Sequence, residues 1–266
     1  MTDSIPPEDF YAEFTERNRG LISEAAQTAL SKARVLVAGC GSTGGAAVDP
    51  LVRLGVRDFV LAEPGEYELN NLNRQHARLS DIGRNKAEVA AEFVTEVNPY
   101  AKAEVHRTGV QPDTIDALLD GVDVVIDGVD VTTIKGWQAK YLLHAEAARR
   151  QVPVVSGYDM SGTQFIRYYD YRKPLAPLAG KVTEEQLATE QVWDLLLRII
   201  PRERVPMDLI EDIRAHRAEG EEYSVPQLVY TSHLFGVLAS RYTVAVLAGL
   251  PVQEELTVDV HQLVGA

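Results

Sequence analysis

Two rhythms of apolar residues alternate along this chain. Short apolar runs read as buried strands at Arg34–Ala38, Asp58–Ala62, Ala103–His106, Asp123–Asp127, Pro153–Ser156 and Gln164–Tyr169. Longer stretches between them carry helical patterning: Ala46–Leu54, Asn85–Val97 and Thr132–Arg150, the second stopped by Asn98-Pro99. Strand, helix and strand in regular succession predict an α/β fold, a doubly wound, Rossmann-like and mostly parallel sheet.

The flanks follow other patterns. Pro6-Pro7-Glu8-Asp9 is a helix start, with proline in the first turn and acids at the positive end of the dipole. Phe10 and Phe14 share one face of a helix running toward Arg19, and a second helix covers Ile22–Leu30. From Thr183 to Gly220 the chain is charged and helical, split in two by Pro201 and Pro206. Its apolar block of Trp193, Leu195, Leu196, Leu197, Ile199 and Ile200 suits core or dimer contact better than substrate docking. A long apolar helix follows Pro226 and closes at Gly249, and Glu255–Val260 is a last strand. The expected organisation is one domain: N-terminal helices over 1–32, a nucleotide-binding core over 33–170, a helical insertion over 171–225, and a closing helix and strand over 226–266.

Bulk composition narrows the possible chemistry. The chain has 266 residues, 45% of them hydrophobic, enough for a sizeable core. Its formal charge, 26 − 39 = −13, argues against a sequence-independent grip on nucleic acid. A single cysteine, Cys40, excludes an internal disulfide and a Cys-rich zinc site. No run of about 18 apolar residues and no signal-peptide pattern occurs, so the expectation is a soluble cytoplasmic protein without membrane contact. His76, His106, His144, His216, His233 and His261 are scattered, without metal-ligand spacing.

Gly39-Cys40-Gly41-Ser42-Thr43-Gly44 fits G-x-G-x-x-G between a strand and a helix, where glycines permit the turn and backbone N–H groups face a phosphate. Glu63 closes the second strand, 63 − 41 = 22 residues beyond Gly41, placed to accept from ribose hydroxyls. Arg74, in the tract Asn70–Gln75, and Lys86, after Gly83-Arg84-Asn85, would neutralise a triphosphate; by position alone they are equally solvated surface charges. Asp130 stands just past a central strand, a place for a magnesium ligand or for the cap of the following helix.

Taken in order, Gly39–Gly44, Glu63, Asn70–Gln75, Asp81–Lys86 and Asp127–Asp130 resemble the ThiF/MoeB/HesA family, the adenylyltransferases related to ubiquitin-activating enzymes. The resemblance covers about Glu13 to Tyr169 and resumes weakly from Val225. It implies ATP and magnesium: Gly39, Gly41, Gly44 and Glu63 at the nucleoside, Asn71, Arg74 and Lys86 at the phosphates, and Asp130 at the ion. Arg19, in Asn18-Arg19, would reach the site of a partner in a homodimer. A ubiquitin-like carrier protein, a peptide or a small acid would then be adenylated on its carboxylate. Ser42 and Thr43 depart from the family's Gly-Leu, Glu63 stands for aspartate, Val131 for asparagine, and the paired C-x-x-C zinc motifs are missing. Cys40 lies within the loop, where a buried thiol is inert, so the chemistry should stop at the acyl-adenylate. The competing readings are an NAD-dependent oxidoreductase, which the glycine loop and Glu63 would serve equally, and a family member reduced to binding.

Overall fold

In the computed structural model, which describes residues 5–216 and 224–265, seven strands form one sheet. They are β1 (Arg34–Ala38), β2 (Asp58–Ala62), β3 (Lys102–His106), β4 (Val124–Asp127), β5 (Val154–Met160), β6 (Thr163–Tyr169) and β7 (Glu255–Asp259), in the order β3-β2-β1-β4-β5-β6-β7. The five strands from β3 to β5 run parallel, with Val37 level with Leu61 on one side and Ile126 on the other. β6 and β7 pair antiparallel beyond them, so the sheet is mostly parallel as the alternation predicts.

Helices cover both faces. Those preceding the insertion are α1 (Pro7–Phe14), α2 (Glu24–Lys32), α3 (Ser42–Leu54), α4 (Lys86–Val97), α5 (Ile115–Leu118) and α6 (Ile134–Arg150). Then come α7 (Glu184–Thr189), α8 (Val192–Ile199), α9 (Met207–Ala215), α10 (Val229–Leu247) and α11 (Val260–Val264). Strand alternation divides the core accordingly. Val35, Val37, Phe59, Leu61 and Ile126 pack with residues of α3 and α10, while Leu36, Val60 and Val125 pack with Trp137 and Leu143 of α6. Leu195, Leu196, Ile199 and Ile200 of the insertion join this second core.

Several boundaries differ from expectation. α1 ends at Phe14 and a 3-10 turn spans Glu16–Asn18, leaving Arg19 outside any helix at φ −57°, ψ 130°. The Ser23 hydroxyl accepts from Ala26 N at 3.2 Å, which starts α2 at Glu24. α3 begins at Ser42, not Ala46, and takes Gly44 and Gly45 into its first turns. A methyl group on Gly44 would stand 2.0 Å from Gly39 O, so only glycine lets the helix press on the strand exit. β5 continues four residues past Ser156 as a hairpin with β6. The insertion holds three described helices rather than two, because the chain is already extended at Glu190, before the prolines. Residues 217–220 of the expected helical stretch lie outside the described residues.

Candidate functional site

The strand order reverses at β1, whose neighbours are β2 and β4, and ligand crevices of open α/β sheets form outside the carboxyl ends of strands at such a point. A cleft of about 470 Å³ lies there. Its lining includes Gly41, Glu63, Asn71, Arg74, Lys86 and Asp130, residues from five separate stretches of chain. The two cations and the carboxylate picked out from sequence thus share one cavity beside Gly41.

The three loop glycines divide the work. Gly41 caps α3 and faces the cleft; the nearest atom to an added methyl there is Gln75 Nε2 at 3.9 Å. Gly39 has φ +83°, and a methyl would strike Gly128 O at 2.3 Å. Gly39 and Gly44 therefore set the close approach of the β1 and β4 exits and do not line the cavity.

Glu63 holds the loop from the other side. Its Oε2 accepts from Cys40 N at 2.9 Å and its Oε1 from Gly65 N at 2.8 Å. Asn85 fastens α4 to the same place: its Nδ2 donates to Glu63 O at 2.9 Å, and its Oδ1 caps the helix by accepting from Ala87 N at 3.0 Å. That joint brings Lys86, the first residue of α4, to the cleft wall, its Nζ 5.8 Å from the Tyr67 ring centre. Asn71 is buried; its Oδ1 accepts from Glu68 N at 3.1 Å and its Nδ2 donates to Asn70 Oδ1 at 2.8 Å, shaping the turn that carries Arg74. Arg74 Nε donates to Gln227 Oε1 at 2.5 Å, and its NH1 to Asn70 O at 3.0 Å and Asn73 Oδ1 at 2.8 Å.

Among the described residues neither Arg74 nor Lys86 forms an ion pair. Burial of the Arg74 guanidinium lowers its pKa although Asp159 faces it. Two cations without an ion-pair partner among the described residues thus stand in one cleft next to the N-terminus of α3.

Asp130 is exposed at the cleft mouth, where its Oδ1 accepts from Thr132 N at 2.9 Å. The helix cap is a different residue, Thr133, whose hydroxyl accepts from Gly136 N at 3.0 Å. Among the described residues no three His, Cys, Asp or Glu side chains cluster as a metal cage. Magnesium needs only one or two protein carboxylates when phosphates complete its shell, and Asp130 fits that requirement. Arg19 stands apart from the cleft, its side chain exposed and 3.6 Å from Glu16.

Asp127, three residues before Asp130, is structural. It is fully buried, bonded to Lys140 and accepting from Ser156 Oγ at 2.6 Å, with His144 Nε2 at 3.0 Å. Burial alone would raise its pKa, but Lys140 and His144 hold it well below the usual carboxylate range. His144 Nδ1 lies 2.7 Å from the Tyr171 hydroxyl, which closes the network under the sheet.

Sequence reasoning passes over Asp159, which lines the cleft near the end of β5, because it stops that strand at Ser156. A carboxylate just past a parallel strand is the signal that singled out Asp130, and it was available here too. Gln227, which orients Arg74, lies 153 residues away and carries no local signal. The histidines are not all isolated: His76 and His233 meet at 3.0 Å, Nε2 to Nε2, beside a second groove of about 450 Å³ lined also by Leu72, Phe93 and Val229. Trp193, Leu196 and Leu209 of the insertion form the apolar wall of the first cleft, so this segment serves both core and cavity. Cys40 is fully buried, and burial, with Glu63 nearby, pushes its thiol pKa well up.

Residues 15–259 match the ThiF family. The chain is 37% identical over 162 residues to the uncharacterized protein MT1398 of Mycobacterium tuberculosis, covering 60% of this chain and 22% of that one. It is 32% identical over 170 residues to tRNA threonylcarbamoyladenosine dehydratase of Escherichia coli K12, covering 62% of each. The chain thus spans less than two thirds of either relative. The crystal structure of the E. coli dehydratase in complex with ATP matches the fold with a TM-score of 0.64 at 21% identity, over 92% of this chain and 98% of that one. Among the described residues no helix is long and apolar enough to cross a membrane.

Proposed function

Because the chain belongs to the ThiF family, we propose that it is an adenylyltransferase that uses ATP to activate a substrate carboxylate. The observation that carries this reading is the convergence of Arg74 and Lys86, both without an ion-pair partner among the described residues, on one cleft at the N-terminus of α3. A dinucleotide dehydrogenase needs no such cations beyond the ribose-binding strand; a triphosphate does. The E. coli relative has been crystallised with ATP, which agrees with a nucleotide in this cleft.

In the proposed reaction a carboxylate oxygen of the substrate attacks the α-phosphorus of ATP. The α–β phosphoanhydride bond breaks, pyrophosphate leaves, and an acyl-adenylate remains. No general base is needed, since a carboxyl group of pKa about 3.5 is already ionised at neutral pH. The protein's work is positioning and charge neutralisation. The N-terminus of α3 faces the phosphates, Glu63 the ribose, and Arg74 and Lys86 the charge gathering on the departing pyrophosphate. Asp130 would hold magnesium, which supplies further neutralisation of phosphate oxygens when bound. The apolar wall from Trp193 to Leu209 suits the acyl portion of a peptide or small acid as well as a carrier-protein tail. The E. coli relative is named a dehydratase, and an acyl-adenylate is the activated species from which a net loss of water proceeds.

Arg19 is assigned to the cleft of a second copy in a homodimer. Supporting this, Leu21 beside it is 90% exposed, an apolar side chain left for a partner to cover.

ATP–pyrophosphate exchange against a panel of peptide and small carboxylic acids tests the reading. Exchange should appear with at least one acid and fall about 100-fold in Asp130→Ala, the scale of losing one key electrostatic group. Nicotinamide reduction in place of exchange would overturn it.

A further inference from the structure

The two departures in the glycine loop and the overlooked carboxylate of β5 belong to one cluster. Ser42 Oγ lies 2.5 Å from Ser232 Oγ on α10, and Ser232 Oγ donates to Asp159 Oδ2 at 3.0 Å. Thr43 Oγ1 donates to the same oxygen at 3.2 Å. Every donor converges on Oδ2. Oδ1 is closed off from solvent and has no partner among the described residues. Asp159 nevertheless lines the cleft with Gly41, Ser42, Thr43 and Arg74.

Its charge is only partly offset. Arg74 faces it without an ion pair among the described residues, tied instead to Gln227, Asn70 and Asn73. Glu63, Lys86, Asp130 and Tyr158 are the other ionisable groups lining the cleft, and α3 and α10 reach Asp159 through hydroxyls. Burial outweighs the hydroxyls and Arg74, and the carboxyl is pushed up to about 6.

A buried acceptor without a donor is costly, and two things relieve it: a ligand that donates, or a proton. The occupant assigned to this cleft presents acceptors at this end, the oxygens of a phosphate chain on a helix N-terminus, while its ribose hydroxyls are assigned to Glu63. We propose that Asp159 enters the nucleotide complex as a carboxylic acid, so that ATP and one proton bind together. This rests on the ATP reading above and adds a linked proton to it. Ser42 and Thr43 then have a purpose: with Ser232 they hold Oδ2 as the accepting oxygen and leave Oδ1 to carry the proton. Carboxylates facing phosphates repel them when ionised, and the negative charge of ATP holds the proton in place.

Calorimetric titration of wild type and Asp159→Asn with magnesium-ATP, in buffers of different ionisation enthalpy, reads the proton directly. From a free pKa of about 6, wild type should take up roughly 0.9 proton more per ATP than the variant at pH 7, and roughly 0.1 more at pH 5. The difference between the two proteins cancels the nucleotide's own protonation. Wild-type affinity should fall up to about tenfold per pH unit above 6, relative to Asp159→Asn. Adenosine, lacking phosphate, should show no such difference. Ser232→Ala guards against a variant that fails to fold: loss of a donor to the ionised form should move the midpoint of the affinity profile upward.

Equal proton uptake by wild type and Asp159→Asn overturns the proposal, as does the same difference with adenosine or an unmoved midpoint in Ser232→Ala. Failure of wild type to bind ATP at all overturns the nucleotide reading as well, an outcome distinct from ATP binding without the proton.

Discussion

Replacing Lys140 by methionine should destabilise this protein more than most single changes, and the structure gives the size. Lys140 and Asp127 are both fully buried and bonded to each other. Methionine keeps the length and apolar volume of the side chain, so the change removes mainly the charge. Asp127 would keep Ser156, His144 and Val129 N as partners but would lose its counter-ion. Leaving one member of a buried pair uncompensated costs about 3–5 kcal/mol. For a chain of 266 residues, each kcal/mol moves Tm by about 2–4 °C, so the loss should be roughly 6–20 °C.

The deficit should also depend on pH. In wild type the Asp127 pKa is depressed, so its contribution is fully present above the unfolded value near 3.9 and is lost as pH falls through the lower folded value. Without Lys140, burial raises that pKa instead, and protonation removes the offending charge. Urea unfolding of both proteins at pH 7 and pH 4 measures the difference. A deficit below about 1 kcal/mol at pH 7, or one that does not shrink at pH 4, would refute the reasoning. Asp127→Asn combined with Lys140→Met should cost less than the sum of the single changes, since each removes the charge that the other leaves stranded.

Cys40→Ala should leave ATP–pyrophosphate exchange within about twofold of wild type, and the native wild-type thiol should resist alkylation until the protein is unfolded; prompt alkylation, or loss of exchange with the fold preserved, would count against a structural role. In Gly236→Ala the new methyl would stand 2.1 Å from Ala46 O, where α10 crosses α3, so the helices must part at a cost of about 1–3 kcal/mol in urea unfolding. An unchanged midpoint would show that this crossing has room for the methyl group.

What the sequence discloses is what local chemistry dictates. β1, β2 and β4 are written as apolar runs, and the loop from Gly39 to Gly44 marks the exit of β1 without reference to anything distant. Arg74 and Lys86 each sit beside a readable feature, the turn of Asn70–Gln75 and the cap at Asn85. The remainder depends on long-range contact. Asp159 meets Ser232 across 73 residues, Arg74 meets Gln227 across 153, and His76 meets His233 across 157. No periodicity or motif encodes such pairs; they arise only when α10 lies on α3 and the strand ends come together. The end of β5 is illegible for another reason: Gly157 suggests a break, yet it remains in the strand because the Phe235 ring occupies the space of its side chain. Asp127 shows the reverse hazard. By position it resembles a ligand at a strand exit, and only its enclosure by Lys140 and His144 shows that it belongs to the core.

Diffraction from crystals soaked with ATP and magnesium would examine the binding site without an intermediary. The phosphate chain should run over the N-terminus of α3, with Arg74 and Lys86 within hydrogen-bonding distance of its oxygens and Asp130 at the ion. Nucleotide lodged instead in the groove beside His76 and Phe93, or phosphates pointing away from both cations, would contradict the account.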